Sequence, residues 1–141
     1  MVEVHISVKK EFTLGDKGEK FRNELLNQVS SDGVLIMESV TPRRTSRGAN
    51  SYRVIKKASA HEIRNEVFYL PFVNDGTGLY GPRHQRITPK HARYLHFTWK
   101  GKEWFLKSVR GQKPKRFVER GVNDIVKSLD KAVIIAKKKT F

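Results

Sequence analysis

The sequence predicts an α+β fold: antiparallel β-hairpins packed against a long N-terminal helix and a C-terminal helix. Three observations point there. Segments follow one another in the order β-α-β-β-β-β-α, without the strict strand–helix alternation of a parallel sheet. Apolar residues alternate with polar ones in two short stretches, and recur at helical spacing in two long ones. A length of 141 residues suits one core.

Val2, Val4, Ile6 and Val8 alternate with Glu3, His5 and Ser7, which predicts a half-buried strand. Gly15-Asp16-Lys17-Gly18 breaks it. From about Glu19 to Val40, Phe21, Leu25, Val29, Ile36 and Val40 recur near helical spacing, with Leu26, Gly33 and Met37 beside them. Gly33 inside that helix marks either a kink or a close approach. Pro42 lies just past its end. Arg43 to Asn50 reads as an exposed basic loop. Ser51–Lys57 and His61–Phe72 are β-leaning runs, the second with Ile63, Val67 and Tyr69 on one face and Pro71 ending its pairing. Tyr94–Trp99 alternates again, and Lys100-Gly101 is a two-residue turn into Glu103–Val109, a β-hairpin. A last helix, about Phe117 to Ala136, presents Val118, Val122, Ile125, Leu129 and Val133, followed by a basic tail over 137–141.

The net charge is +15, and Arg83 to Arg116 holds eleven Lys and Arg against the single acid Glu103. Such a field favours nucleic acid or an acidic partner surface. No cysteine is present, which excludes disulfides and thiolate metal sites. The N-terminus lacks the apolar stretch of a signal peptide, and no apolar run reaches membrane-spanning length. These features imply a cytoplasm-like compartment and no membrane partner.

Gly76 to Gly81, GTGLYG, matches the Gly-x-Gly-x-x-Gly spacing of dinucleotide sites. That fingerprint needs a helix to open after the last glycine. Here Pro82-Arg83-His84-Gln85-Arg86-Ile87-Thr88-Pro89 follows, with two prolines and no helical period. A Walker loop would need Lys-Ser/Thr where Pro82-Arg83 stands. The stretch is therefore read as a loop, and no cofactor is expected. His84, His91 and His96 lack the i, i+4 spacing of a zinc helix and any carboxylate partner between them, so neither a metal site nor catalysis is expected. In YLHFTWKGKEWFLK, Leu95, Phe97, Trp99, Trp104 and Leu106 suit a hairpin face reaching a core; a stacking surface for single-stranded nucleic acid is the alternative.

Three segments, taken together, resemble the head–tail joining proteins of long-tailed bacteriophages, the neck and tail-completion family also found in prophages. Thr41-Pro42-Arg43-Arg44-Thr45-Ser46-Arg47-Gly48-Ala49-Asn50-Ser51 is similar to the family's proline, basic residue, Thr-Gly and Ser-led strand after the long helix. Tyr69-Leu70-Pro71-Phe72-Val73-Asn74-Asp75-Gly76-Thr77-Gly78 is similar to its aromatic-x-x-x-Val-x-x-Gly-Thr core. Gly111-Gln112-Lys113-Pro114-Lys115-Arg116-Phe117-Val118 is similar to its Pro-x-x-Phe-Leu approach to the final helix. The likeness covers about Glu19 to Val133. Ser46 departs from the glycine usual after Thr45, and Leu79 to Lys113 is longer than in short members.

The resemblance implies a single connector-like domain over 1–141, with a loop or arm inserted at about 76–92, and a non-enzymatic virion protein of the head–tail junction. It would pass through the host cytoplasm during assembly. Its partners would be copies of itself in a ring, a portal-side adaptor or head-closure protein, a tail-tube or tail-terminator protein, and genomic DNA held without sequence preference. Gly76, Thr77, Gly78 and Gly81 would shape a tight reversal, where φ > 0 is cheap for glycine. Pro82 and Pro89 would hold out an arm for subunit contact. Arg43, Arg44, Arg47, Arg83, Arg86, Lys137, Lys138 and Lys139 are the candidates for DNA or acidic-partner contact. A small basic DNA- or RNA-binding module of cellular origin is the alternative, and a small nuclease using His84 or His91 ranks third.

Overall fold

A computed structural model describes residues 1–8 and 15–141. The fold is α+β. Its elements are β1 (Val2–Ser7), α1 (Gly15–Val40), β2 (Arg53–Lys56), β3 (Ala60–Asn65), α2 (Leu70–Asp75), β4 (Leu95–Trp99), β5 (Lys102–Leu106) and α3 (Phe117–Thr140), with short 3₁₀ turns at Ala49–Ser51 and Gly78–Tyr80. Two compact units form, one from Met1–Phe68 with Phe117–Phe141, the other from Tyr69–Arg116. No described helix is long and apolar enough to cross a membrane.

In the first unit β3 lies between β1 and β2, antiparallel to both. The register places Val4 and Val54 opposite Ile63, so one face of the sheet is apolar. α1 covers that face. It runs unbroken from Gly15 through Ser30-Ser31-Asp32-Gly33, one turn earlier than the periodicity predicts, with Asp16 in the first turn where the helix dipole favours an acid. Gly33 serves close approach: a Cβ there would stand 2.5 Å from Ile63 Cδ1 and 3.4 Å from Ile125 Cδ1. A Cβ on Gly121 of α3 would run into Met37 Sδ in the same way. Phe21 and Phe141 are paired at 6.0 Å between ring centroids, so α1 and α3 lie antiparallel. The fully buried side chains include Leu26, Met37, Ile63, Asn65 and Phe117.

Two polar arrangements are built into this core, one around Asn65 and one joining Ser30 to His61. Asn65 donates from Nδ2 to the Gly48 carbonyl at 2.6 Å and accepts from the Val67 amide at 3.1 Å, which ties the 43–50 loop to β3. Ser30 Oγ lies 2.7 Å from both the Leu26 carbonyl oxygen and His61 Nδ1. Burial, and then the Lys56 ammonium on the adjacent strand, hold the His61 pKa below its ordinary value. The unfolded chain therefore takes up this proton first. The His61 contribution to stability is complete above about pH 6.5 and is lost as pH falls through the lowered folded pKa. Urea unfolding between pH 7 and 5 should show a decline no steeper than about 1.4 kcal/mol per pH unit from this one group, and His61→Gln should flatten it. An unchanged slope in the variant would remove His61 from the account.

The second unit corrects the strand predicted to reach Phe72. β3 ends at Asn65, and Leu70–Asp75 is a helical turn and a half. Pro71 explains this: at the first turn of a helix its fixed φ is favourable and its missing N–H is not needed. The hairpin turn follows expectation. Lys100 and Gly101 both have positive φ, 52° and 73°, as a two-residue type I′ turn demands, and Leu95 to Trp99 pairs with Leu106 to Lys102.

Candidate assembly interface

The glycine loop belongs to the second unit, and the amides of Gly76, Thr77, Leu79, Tyr80 and Gly81 are engaged within the chain. Gly76 follows α2, not a strand, and its amide closes the helix on the Phe72 carbonyl at 2.9 Å. The Thr77 amide donates to the Gln112 carbonyl at 2.9 Å, and the Leu79 amide to the Arg110 carbonyl at 2.8 Å. Thr77 Oγ1 accepts the Gln112 amide at 2.9 Å. The Tyr80 and Gly81 amides turn back to the Thr77 and Gly78 carbonyls. Each of these five N–H groups points at a carbonyl of the chain itself and so is not directed at a phosphate. Gly78, with φ of 62°, packs directly against the Arg110 carbonyl. The glycines let two backbone segments, 76–81 and 110–112, meet without intervening side chains.

The segment that follows is irregular, and no helix starts at Pro82. It differs from a freely projecting arm because it is fastened at its middle. Ile87 and Val109 exchange backbone hydrogen bonds at 2.9 and 3.0 Å, and Arg86 Nε donates to Ser108 Oγ at 2.9 Å. Pro82, Arg83 and Arg86 are exposed and Pro89 is half-buried. His84 has φ of 51° and His96 is stacked on Phe105 at 4.4 Å. Among the described residues neither joins a group of metal-ligating side chains.

The β4–β5 hairpin departs from the core role predicted for its apolar face. Cross-strand register puts Leu95 opposite Leu106, Phe97 opposite Trp104 and Trp99 opposite Lys102 on one face. None of these side chains is buried: Trp99 is 51% exposed and Phe97 37%, while Leu95, Trp104 and Leu106 are half-buried. Lys100 Nζ sits 4.5 Å from the Trp99 ring centroid, and Lys102 Nζ 5.1 Å from that of Trp104. A two-stranded sheet covers neither of its faces by itself.

In the first unit, Arg43, Arg44 and Arg47 are exposed on a loop that polar ties hold in shape. Thr41 Oγ1 donates to the Met37 carbonyl and meets Tyr52 Oη, each at 2.6 Å; Ser51 Oγ donates to the Arg47 carbonyl at 2.5 Å. A cleft of about 320 Å³ opens beside it, lined by Arg47, Ser51, Arg53, Glu66, Val67 and Phe68, with Arg53 and Glu66 paired at 2.7 Å. Lys137, Lys138 and Lys139 form the last turn of α3 instead of a tail, where cations complement the helix dipole.

α3 presents a second apolar stripe. Its buried side is Phe117, Gly121, Ile125, Ala132 and Ala136. Of the aliphatics predicted to face the core, Ile125 is buried, Val118 and Val133 are half-buried, and Val122 and Leu129 are exposed one step round the helix, where Val126 joins them at 59% exposed. Glu119 and Asp130 border that stripe at i, i+3 or i, i+4 from Val122, Val126 and Val133.

One cluster was invisible in the sequence because it is made by strand register. On the sheet face opposite α1, Glu3, His5 and Glu62 bring three ligand-type atoms within 4.8 Å of one another. The buried Glu62 carboxylate is already matched: Arg64 Nη2 lies at 2.6 Å, Lys57 Nζ at 3.6 Å and His5 Nδ1 at 3.7 Å. Arg64 also reaches Glu3, at 3.4 Å. The hydrogen bond from Arg64 first of all holds the Glu62 carboxyl below its ordinary pKa. Two cations balance two carboxylates here, so the arrangement does the work of an ionic clasp between β1 and β3. Comparison with protein-family models, with curated proteins and with solved structures finds no match to this chain.

Proposed function

We propose that the protein is a non-enzymatic structural subunit of the phage head–tail junction, a neck or tail-completion protein that assembles into a ring between the DNA-filled head and the tail. The observation that carries this reading is the exposed aliphatic row of α3, Val122, Val126 and Leu129, flanked by the half-buried Val118 and Val133, on a chain of net charge +15. An exposed row of large aliphatics beside a covered one marks a surface made for another protein. Contacts between unlike surfaces of identical copies generate a ring when the rotation closes. The order of the three resembling segments supports the same setting. So does the hydrogen-bonded loop bearing Arg43, Arg44 and Arg47, which with Arg83, Arg86 and Lys137 to Lys139 suits phosphate contact without base reading. The ring would meet a portal-side adaptor or head-closure protein on one side and a tail-tube or tail-terminator protein on the other.

Electron microscopy of particles assembled without the protein tests this. Tailless heads beside free tails are the expected result; tailed, infectious particles would overturn it. In a second arm, Arg43→Glu, Arg44→Glu and Arg47→Glu together should give particles that leak DNA or lack tails, and a normal titre would remove these arginines from the proposal.

A further inference from the structure

We infer that the apolar face of the β4–β5 hairpin of one copy docks on the α3 stripe of the next copy. This rests on the ring reading and names the two surfaces that would meet. Both are apolar and at least partly open to solvent: exposed Phe97 with half-buried Leu95, Trp104 and Leu106 on the hairpin, exposed Val122, Val126 and Leu129 at the centre of the stripe. The hairpin fits within the length of the stripe. Five residues of strand span about 17 Å at the rise of a β-strand, and Val118 to Val133 spans about 22 Å at the rise of an α-helix.

Charge selects the occupant. Lys102 lies on the hairpin face with Lys100 and Lys107 beside it, and Glu119 and Asp130 border the centre of the α3 stripe, Lys137 standing a turn beyond Val133. The two rims are opposite in sign, whereas hairpin against hairpin or stripe against stripe would set like charges together. A stacked nucleic-acid base fits the hairpin less well. Each indole already carries a lysine ammonium over its ring and Phe105 is stacked on His96, which leaves Phe97 as the one aromatic ring of the ladder without such a neighbour among the described contacts. A hairpin on a helix is also a pairing of unlike surfaces, the kind that propagates around a ring.

Charge exchange tests the inference. One variant carries Glu119→Lys and Asp130→Lys; the other carries Lys100→Glu and Lys102→Glu. Each alone should lose association by about tenfold or more, since like charges then face each other in every contact. An equal mixture should recover it, because every hairpin then finds an α3 of opposite sign on its neighbour. Sedimentation gives the size. Trp99 and Trp104, the only two tryptophans in the chain, give the docking, through a blue shift of emission on assembly. Variants that assemble alone as the parent does would overturn the docking and leave the ring reading standing. A parent that stays monomeric with its portal-side and tail partners present would overturn both. So would a monomer whose tryptophan emission is quenched, in a salt-sensitive way, by an oligothymidylate. A blue shift without change in size would place the hairpin on its own chain and overturn the docking between copies.

Discussion

Gly111→Ala is expected to open the second unit while leaving the first folded. At this position φ is 97°, a conformation that strains any side chain by about 1–2 kcal/mol. Space is the larger difficulty. A Cβ on Gly111 would collide with the carbonyl oxygen of Thr77 and stand 2.5 Å from its carbonyl carbon. Those are backbone atoms and cannot rotate aside. Overpacking of this kind adds roughly 1–3 kcal/mol. Relief by separation would break the hydrogen bonds from Thr77 to Gln112 and from Leu79 to Arg110, each worth about 1 kcal/mol net. A loss of about 3 kcal/mol or more follows. Amide hydrogen exchange reads it directly: protection of the Thr77 and Leu79 amides should fall about a hundredfold or further, while α1 and α3 keep theirs. Gly101→Ala is the control. Its φ is also positive, but nothing lies within 4 Å of the added carbon, so only the smaller strain should register. Equal effects from the two variants would mean that close approach of 76–81 to 110–112 is not what these glycines are for.

That result would also fix what the Gly-x-Gly-x-x-Gly spacing means here. Pro82 and Pro89 were enough to deny the helix a phosphate site requires, and the sequence shows them plainly. What it does not show is the second segment, thirty residues away, whose carbonyls take the loop's amides. Long-range partners of this sort are set by the fold and leave no local periodicity.

The elements themselves were legible where one residue type has one job. Val2, Val4 and Ile6 announced β1 by alternation, and Lys100-Gly101 announced a turn that proved to need positive φ at both residues. Helix existence was equally clear, but helix facing was not. In α1 the covered stripe is Leu26, Val29, Ser30, Gly33 and Met37. Ser30 belongs to it only because the Leu26 carbonyl and His61 satisfy its hydroxyl, and Gly33 only because Ile63 fills the space beside it. In α3 the small residues Gly121, Ala132 and Ala136 share the inner side with Phe117 and Ile125, and Val122, Val126 and Leu129 were left outside. Close helix approach favours small residues, and a search for large apolar ones misses it. The extent of Leu70–Asp75 was misread for a related reason: Pro71 ends a strand, but it also opens a helix, and only the neighbours decide which.

Phe117→Ala should be the most damaging truncation in the first unit. Phe117 has no solvent exposure and is the largest of the fully buried side chains. It opens α3 directly after the Pro114-Lys115-Arg116 approach, so its ring sets where the helix begins against the rest of the core. Removing a buried phenylalanine ring costs about 3–5 kcal/mol, from lost transfer free energy and the cavity left behind. Single domains hold about 5–15 kcal/mol in all. The urea midpoint of the first unit should therefore fall by about a fifth or more, with the slope unchanged. Hydrophobicity alone predicts nothing of the kind, and Leu35→Ala shows why: Leu35 is 65% exposed on α1, and its truncation should move stability by no more than about 0.5 kcal/mol. If the two substitutions prove comparable, Phe117 does not seat α3, and the buried stripe from Phe117 to Ala136 is not what holds the two long helices together.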